Sequence, residues 1–111
     1  MANISNHDLT IDSRDLAEYL DTLDPSDTDY TAVAEFAQEF EDNAEDYPYG
    51  ETAIRDSYFT EYARELCTDR GYLSSDLPEF IRGNIDWEGV ASAIQVDYTD
   101  ITFDGVTYWT R

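Results

Sequence analysis

Carboxylates are the groups this chain holds in quantity for chemistry: twenty-six Asp and Glu stand against six Arg, one His and no Lys in 111 residues. Paired carboxylates can act as general acid and base in a hydrolase, yet at this density a pair at any chosen spacing arises by composition alone. The other catalytic groups are single. His7 sits in a polar N-terminal stretch and Cys67 falls among the apolar positions of a helical pattern, so no Ser-His-Asp or Cys-His partnership forms. Cys67 has no second cysteine with which to form a disulfide and reads as a small buried hydrophobe. The chain is expected not to be an enzyme.

Cation binding is the next chemistry that acids suggest. From Asp24, with Ser26, Thr28 and Tyr30, Glu35 falls at the twelfth position, where an EF-hand places its bidentate carboxylate, but Asp29 occupies the turn that demands glycine. Transition metals select His and Cys clusters, which are absent from the sequence. No metal and no cofactor are expected.

The net charge of -20 and a pI near 4.1 exclude direct nucleic-acid binding, which needs Lys and Arg to neutralise phosphates. The chain is not a disordered acidic tail either, because 41% of it is hydrophobic and 14% aromatic, enough for one core. Three uses of such charge remain: hydration in brine, attraction of a basic partner, or imitation of a polyanion. Twenty charges correspond to roughly 34 Å of duplex at one per 1.7 Å. A sphere of the expected radius of gyration, about 13 Å, has a similar diameter. The density suffices for carboxylates to occupy the basic cleft of a DNA-binding enzyme.

The elements that must carry these acids read as mainly helical. Leu16, Leu20 and Leu23 follow helical spacing after Asp12-Ser13, either of which could cap, and Pro25 closes the segment. A second helix is expected over Asp29 to Asp46, with Tyr30, Val33, Ala37, Phe40 and Ala44 inward. Asp46-Tyr47-Pro48-Tyr49-Gly50 reads as a turn or linker. A third helix spans Asp56 to Arg70, with Gly71 as left-handed cap. A short helix opens at Asp76-Leu77-Pro78, and another follows the N-cap Asp86, ending near Val96. Asp104-Gly105 then joins two strand-like runs, pairing Phe103 with Val106 and Ile101 with Tyr108 and leaving Trp109 on the other face. Residues Asn3 to Ile11 are a candidate further strand.

The fold class expected is therefore α+β, a small, mainly helical acidic domain with a C-terminal β-hairpin. Residues 1–46 form an acidic helical part and 51–111 a helical part ending in the hairpin, together one compact unit. Residues 8–46 carry -13 and residues 51–111 carry -7.

Acids of the first part crowd a helix C-terminus, the unfavourable pole of the dipole. Like charges at i, i+4 each cost about 0.2 to 0.5 kcal/mol with no Lys to offset them. Asp12, Asp15, Glu18, Asp21, Asp24 and Asp27 recur at every third residue and wind round the helix. Glu61, Glu65 and Asp69 lie at i, i+4 and i+8, with Arg64 and Arg70 placed to brace them. The binding carboxylates expected are Asp21, Glu35, Glu39, Asp42, Glu61, Glu65 and Asp69.

Tyr58-Phe59-Thr60-Glu61-Tyr62-Ala63, then Leu77-Pro78, then Ile85-Asp86-Trp87-Glu88-Gly89-Val90-Ala91 resembles the ArdA antirestriction family over about residues 51–108. The resemblance implies a DNA mimic, borne by phage or plasmid, that blocks type I restriction-modification enzymes. A Cas effector is the other host DNA-binding defence enzyme expected as target. The resemblance also implies a homodimer, with the exposed aromatic edge at Tyr108 and Trp109 as the place for its interface. The rival reading is a haloadapted acidic protein-interaction module, since abundant Asp without Lys also suits concentrated salt. No stretch approaches bilayer-spanning length and the polar start lacks a signal's basic and apolar regions, so a cytoplasmic protein without membrane contact is expected.

Overall fold

Asp104 and Gly105 both adopt positive φ, 47° and 84°, as a two-residue type I′ turn requires. That turn sets the register of strands β3 (Thr99–Phe103) and β4 (Val106–Thr110): Phe103 faces Val106 and Ile101 faces Tyr108. The computed structural model describes residues 4–73 and 76–111. In it the hairpin is half of a four-stranded antiparallel sheet. Strands β1 (Thr10–Asp12) and β2 (Thr52–Arg55) complete it in the order β1-β2-β4-β3. Strand β1 is the last part of the candidate N-terminal strand, and Asn3 lies outside the described residues. Strand β2 was not expected, because Thr-Ala-Ile-Arg is too short to show alternation.

Among the described residues the chain also forms five α-helices, of which α1, α2 and α3 pack on the sheet. Helix α1 (Ser13–Thr22) is capped by Asp12, whose carboxylate accepts from the Arg14 N–H at 2.8 Å. Hydrogen bonding from the Arg14 side chain holds the Asp12 carboxyl below its ordinary range. Helix α2 (Tyr30–Asn43) stops short of the expected Asp46, so Glu45 and Asp46 lie beyond its end. The chain then makes a 3₁₀ turn at Tyr47–Tyr49. Buried Ser13 ties that turn to α1: its hydroxyl donates to the Tyr47 carbonyl at 2.7 Å and accepts from the Glu51 N–H at 2.8 Å. Gly50 takes φ 105°, and a Cβ there would meet the Arg14 side chain at 2.6 Å. Helix α3 (Asp56–Asp69), the single turn α4 (Glu79–Arg82) and α5 (Trp87–Gln95) follow. Asp86 caps α5 by accepting from the Gly89 N–H at 3.1 Å.

Strand alternation buries both faces of the sheet. Ile11, Ala53, Ile101, Phe103 and Tyr108 point to α1 and α2. There Phe36, fully buried and missing from the expected apolar face, stacks on Phe103 at 4.6 Å and lies 5.4 Å from Tyr108. Ile54 and Trp109 point the other way, to Phe59 and Ala63 of α3, and Ala91 of α5 joins that cluster. Helix α5 packs on α3, not on the sheet. This successive layering makes the molecule elongated, 56 × 26 × 25 Å with a radius of gyration of 16.3 Å, where a sphere of about 13 Å was expected. Among the described residues no helix is long and apolar enough to cross a membrane.

Two outcomes follow from this packing. Thr110 is fully buried and its hydroxyl has no hydrogen-bond partner. Thr110→Val should therefore raise stability by about 1 kcal/mol or more, read as a higher urea midpoint. Burial also pushes the Tyr108 phenol up to about 12, so the folded state keeps a proton that the unfolded chain releases near pH 10. Stability should hold below pH 10 and decline as pH rises toward 12, by up to about 1.4 kcal/mol per pH unit from this group. Urea titrations at constant ionic strength should show a shallower decline in Tyr108→Phe.

Candidate acidic binding surface

An acid on this fold is either solvated or drawn into a local hydrogen bond, and the distinction decides which can meet a partner. Of the twenty-six carboxylates all are exposed except Asp8, Asp12, Glu39 and Glu51, which are half-buried. Of the expected binding residues, Asp21 on α1, Glu35 and Asp42 on α2, and Glu61, Glu65 and Asp69 on α3 are exposed. Asp42 accepts from the Gln38 amide at 3.0 Å and Glu65 from the Tyr58 hydroxyl at 2.8 Å. The Glu65 bond pushes the Tyr58 phenol above its ordinary pKa. The two helices carrying most of these residues lie on opposite faces of the sheet, so the acids do not converge on one cluster.

Glu39 departs from its expected role. It lies between buried Phe36 and Phe40 on α2, so its side chain reaches the sheet and accepts from the Thr102 N–H of β3. Strand β3 is an edge of the sheet, and an outward edge N–H invites pairing with another chain. Glu39 blocks that donor and docks α2 at the same time. Asp24 and Asp27 likewise serve the turn between α1 and α2, accepting from the N–H groups of Ser26 and Asp29 at 2.9 and 3.2 Å. The Ser26 bonds hold the Asp24 carboxyl below its ordinary range. Among the described residues no group of three or more His, Cys, Asp or Glu converges on a metal position.

The exposed aromatic edge expected at Tyr108 and Trp109 is not formed. Strand β4 is interior, between β2 and β3, and both its faces are covered. Tyr108 is 0% exposed and donates its hydroxyl to the Asp8 carbonyl at 2.5 Å. Trp109 is half-buried, packs edge-on against Phe59 and donates to Asp56 at 2.9 Å. Cys67, expected in the core, is half-exposed.

The arginines make local contacts around this surface. Arg14 pairs with its own cap residue Asp12 at 3.2 Å. Arg55 donates to the Asn6 carbonyl at 2.8 Å. Arg64, placed by its spacing to brace the α3 acids, lies over the Trp87 ring, 5.8 Å from its centroid. Arg111 lies over Tyr98 at 5.5 Å and, with Arg70, lines a polar cleft of about 620 Å³ shared with Glu45, Asp46 and Glu51. Helical spacing does not pick out the exposed acids of the hairpin, Asp100 and Asp104. Strand alternation does find Asp100, which precedes buried Ile101.

No family model, curated protein or solved structure matches this chain.

The contrast between Glu39 and Glu35 yields a direct test. Glu39→Ala should lower stability by about 1 to 2 kcal/mol, since it removes a charged acceptor that ties α2 to the edge strand β3. Glu35→Ala should leave the urea midpoint within about 0.5 kcal/mol of the parent. Equal effects would show that Glu39 is solvated like its neighbours.

Proposed function

We propose that the protein is a DNA-mimic inhibitor of a host DNA-binding defence enzyme, a type I restriction-modification enzyme or a Cas effector, in the manner of the ArdA-type proteins that residues 51–108 resemble. The observation that carries this reading is the excess of exposed carboxylates over exposed arginines. Twenty-two of the twenty-six carboxylates are exposed against five of the six arginines. What remains is an elongated anion 56 Å long and 25 to 26 Å across.

Spread along that length, the net charge of -20 amounts to about one per 2.8 Å, roughly three-fifths of the density of duplex DNA at one per 1.7 Å. Such a field attracts a basic cleft without nucleotide chemistry and without a catalytic group. Asp21, Glu35, Asp42, Glu61, Glu65 and Asp69 are the contact residues of this reading; Glu39 acts on the fold. The acids also occur on every long helix and on the hairpin, not on one side alone. That distribution favours the second reading, a haloadapted protein-interaction module whose carboxylates hold water in concentrated salt.

Displacement of DNA from purified restriction and Cas complexes, followed across a salt series, separates the two. Mimicry predicts displacement that weakens steeply as salt rises, by a folded protein active at low salt. Each single Asn or Gln replacement among the six contacts should cost about 0.2 to 1 kcal/mol, and all six together about 1 to 6 kcal/mol, without unfolding. Abolition of displacement by one replacement would point to a conventional hot spot instead. Failure to displace DNA from any complex, with unfolding at low salt, would leave the haloadapted reading.

A further inference from the structure

The polar cleft of about 620 Å³ gathers charges of both signs, and its volume is that of a small-molecule site. The acids come from the stretch that follows α2. Glu45, Asp46 and Glu51 reach the cleft because α2 ends at Asn43, buried Ala44 turns to extended backbone and the 3₁₀ turn carries the chain to β2. This stretch is held in place: the Ser13 hydroxyl bonds both the Tyr47 carbonyl and the Glu51 N–H, and Tyr47 packs edge-on against Phe40 at 5.2 Å. Asn43 also lines the cleft. Its amide nitrogen donates to the Glu39 carbonyl at 2.8 Å, and its side-chain oxygen remains an acceptor.

The donors come from elsewhere in the chain. Tyr62 lies on α3 and Arg70 follows it, while Tyr98 and Arg111 flank the hairpin. The Tyr62 and Tyr98 hydroxyls lie 3.4 Å apart, and the Arg111 guanidinium sits over the Tyr98 ring, 5.5 Å from its centroid. Burial pushes the Tyr98 phenol above its ordinary pKa, so it stays a neutral donor beside the two guanidiniums. The lining thus holds three carboxylates and two guanidiniums, a net charge of -1. Among the described residues no side-chain salt bridge or hydrogen bond joins the two sets.

That balance selects a class of ligand. A simple anion meets three acids and the field of a body carrying -20. A diamine leaves both guanidiniums facing its own positive charge, and among the described residues no three of His, Cys, Asp and Glu converge on a metal position. A basic amino acid satisfies both sets: its carboxylate accepts the forked donors of arginine, its two cationic groups face the acids, and its net positive charge complements the lining. We propose that the cleft binds a free basic amino acid of the lysine or arginine type, with its carboxylate on Arg70 and Arg111 and its cationic groups at Glu45, Asp46 and Glu51. The inference goes beyond mimicry and uses none of its six contact carboxylates.

L-Lysine and cadaverine, which is lysine without its carboxylate, separate a built site from attraction to an acidic surface. Calorimetric titration of the full chain at about 0.15 M salt should show L-lysine binding about tenfold more tightly than cadaverine. Diffuse attraction gives the reverse order, because cadaverine carries the larger positive charge. Arg70→Gln, at an exposed position past the end of α3, should cut the preference for lysine about fivefold, and adding Arg111→Gln should remove it. Glu45→Gln with Asp46→Asn should weaken lysine binding about tenfold, while Glu61→Gln leaves it unchanged. Cadaverine binding as tightly as lysine, absence of lysine binding at about 10 mM ligand, or a preference untouched by Arg70→Gln would overturn the proposal. The titrations contain no DNA-binding enzyme, so failure to displace DNA with lysine binding intact would sink mimicry alone.

Discussion

The pairing of β2 with β4 is the contact on which the rest of the structure depends. In each of these interior strands consecutive residues enter opposite cores: Ala53 and Tyr108 face α1 and α2, while Ile54 and Trp109 face α3. Ile54 lies opposite Trp109 and Arg55 opposite Tyr108, so a few residues join two clusters that would otherwise be separate. An isolated hairpin is marginal in water, and β3-β4 is held because β2 closes its free edge and helices cover both faces.

This arrangement also explains how a chain with so much like charge stays folded. A two-faced sheet buries apolar residues on both sides, so the acids are left to the outer faces of the helices and to turns. None of the twenty-six is buried, and none carries the desolvation cost of an unpaired interior charge. The arginines strengthen the body by other means. Arg64 over Trp87 links α3 to α5, and Arg55 anchors the N-terminal segment through Asn6.

The candidate surface was partly legible from residue spacing. Exposed Glu35, Asp42, Glu61, Glu65 and Asp69 follow from the apolar periodicity of α2 and α3, because a helix that buries one stripe must solvate the other. Glu39 has the same spacing and a different fate, since its position between Phe36 and Phe40 brings it against a strand more than sixty residues away in sequence. The polar cleft was illegible for a related reason. Glu45, Arg70 and Arg111 lie far apart in the chain, and only folding brings them to one opening.

The sequence by itself determined the features set by neighbouring residues: the caps at Asp12 and Asp86, the left-handed Gly71, the register imposed by Asp104-Gly105, and a charge that must face water. Each depends on a few adjacent side chains and on backbone sterics, which act locally. Only the tertiary structure decided that Thr52–Arg55 is a strand, that Tyr108 is interior, that Glu39 docks a helix and that the layers stack into an elongated body. Those outcomes depend on pairings between residues distant in the chain, where the backbone donors and apolar faces that must be satisfied have partners only after the chain has folded.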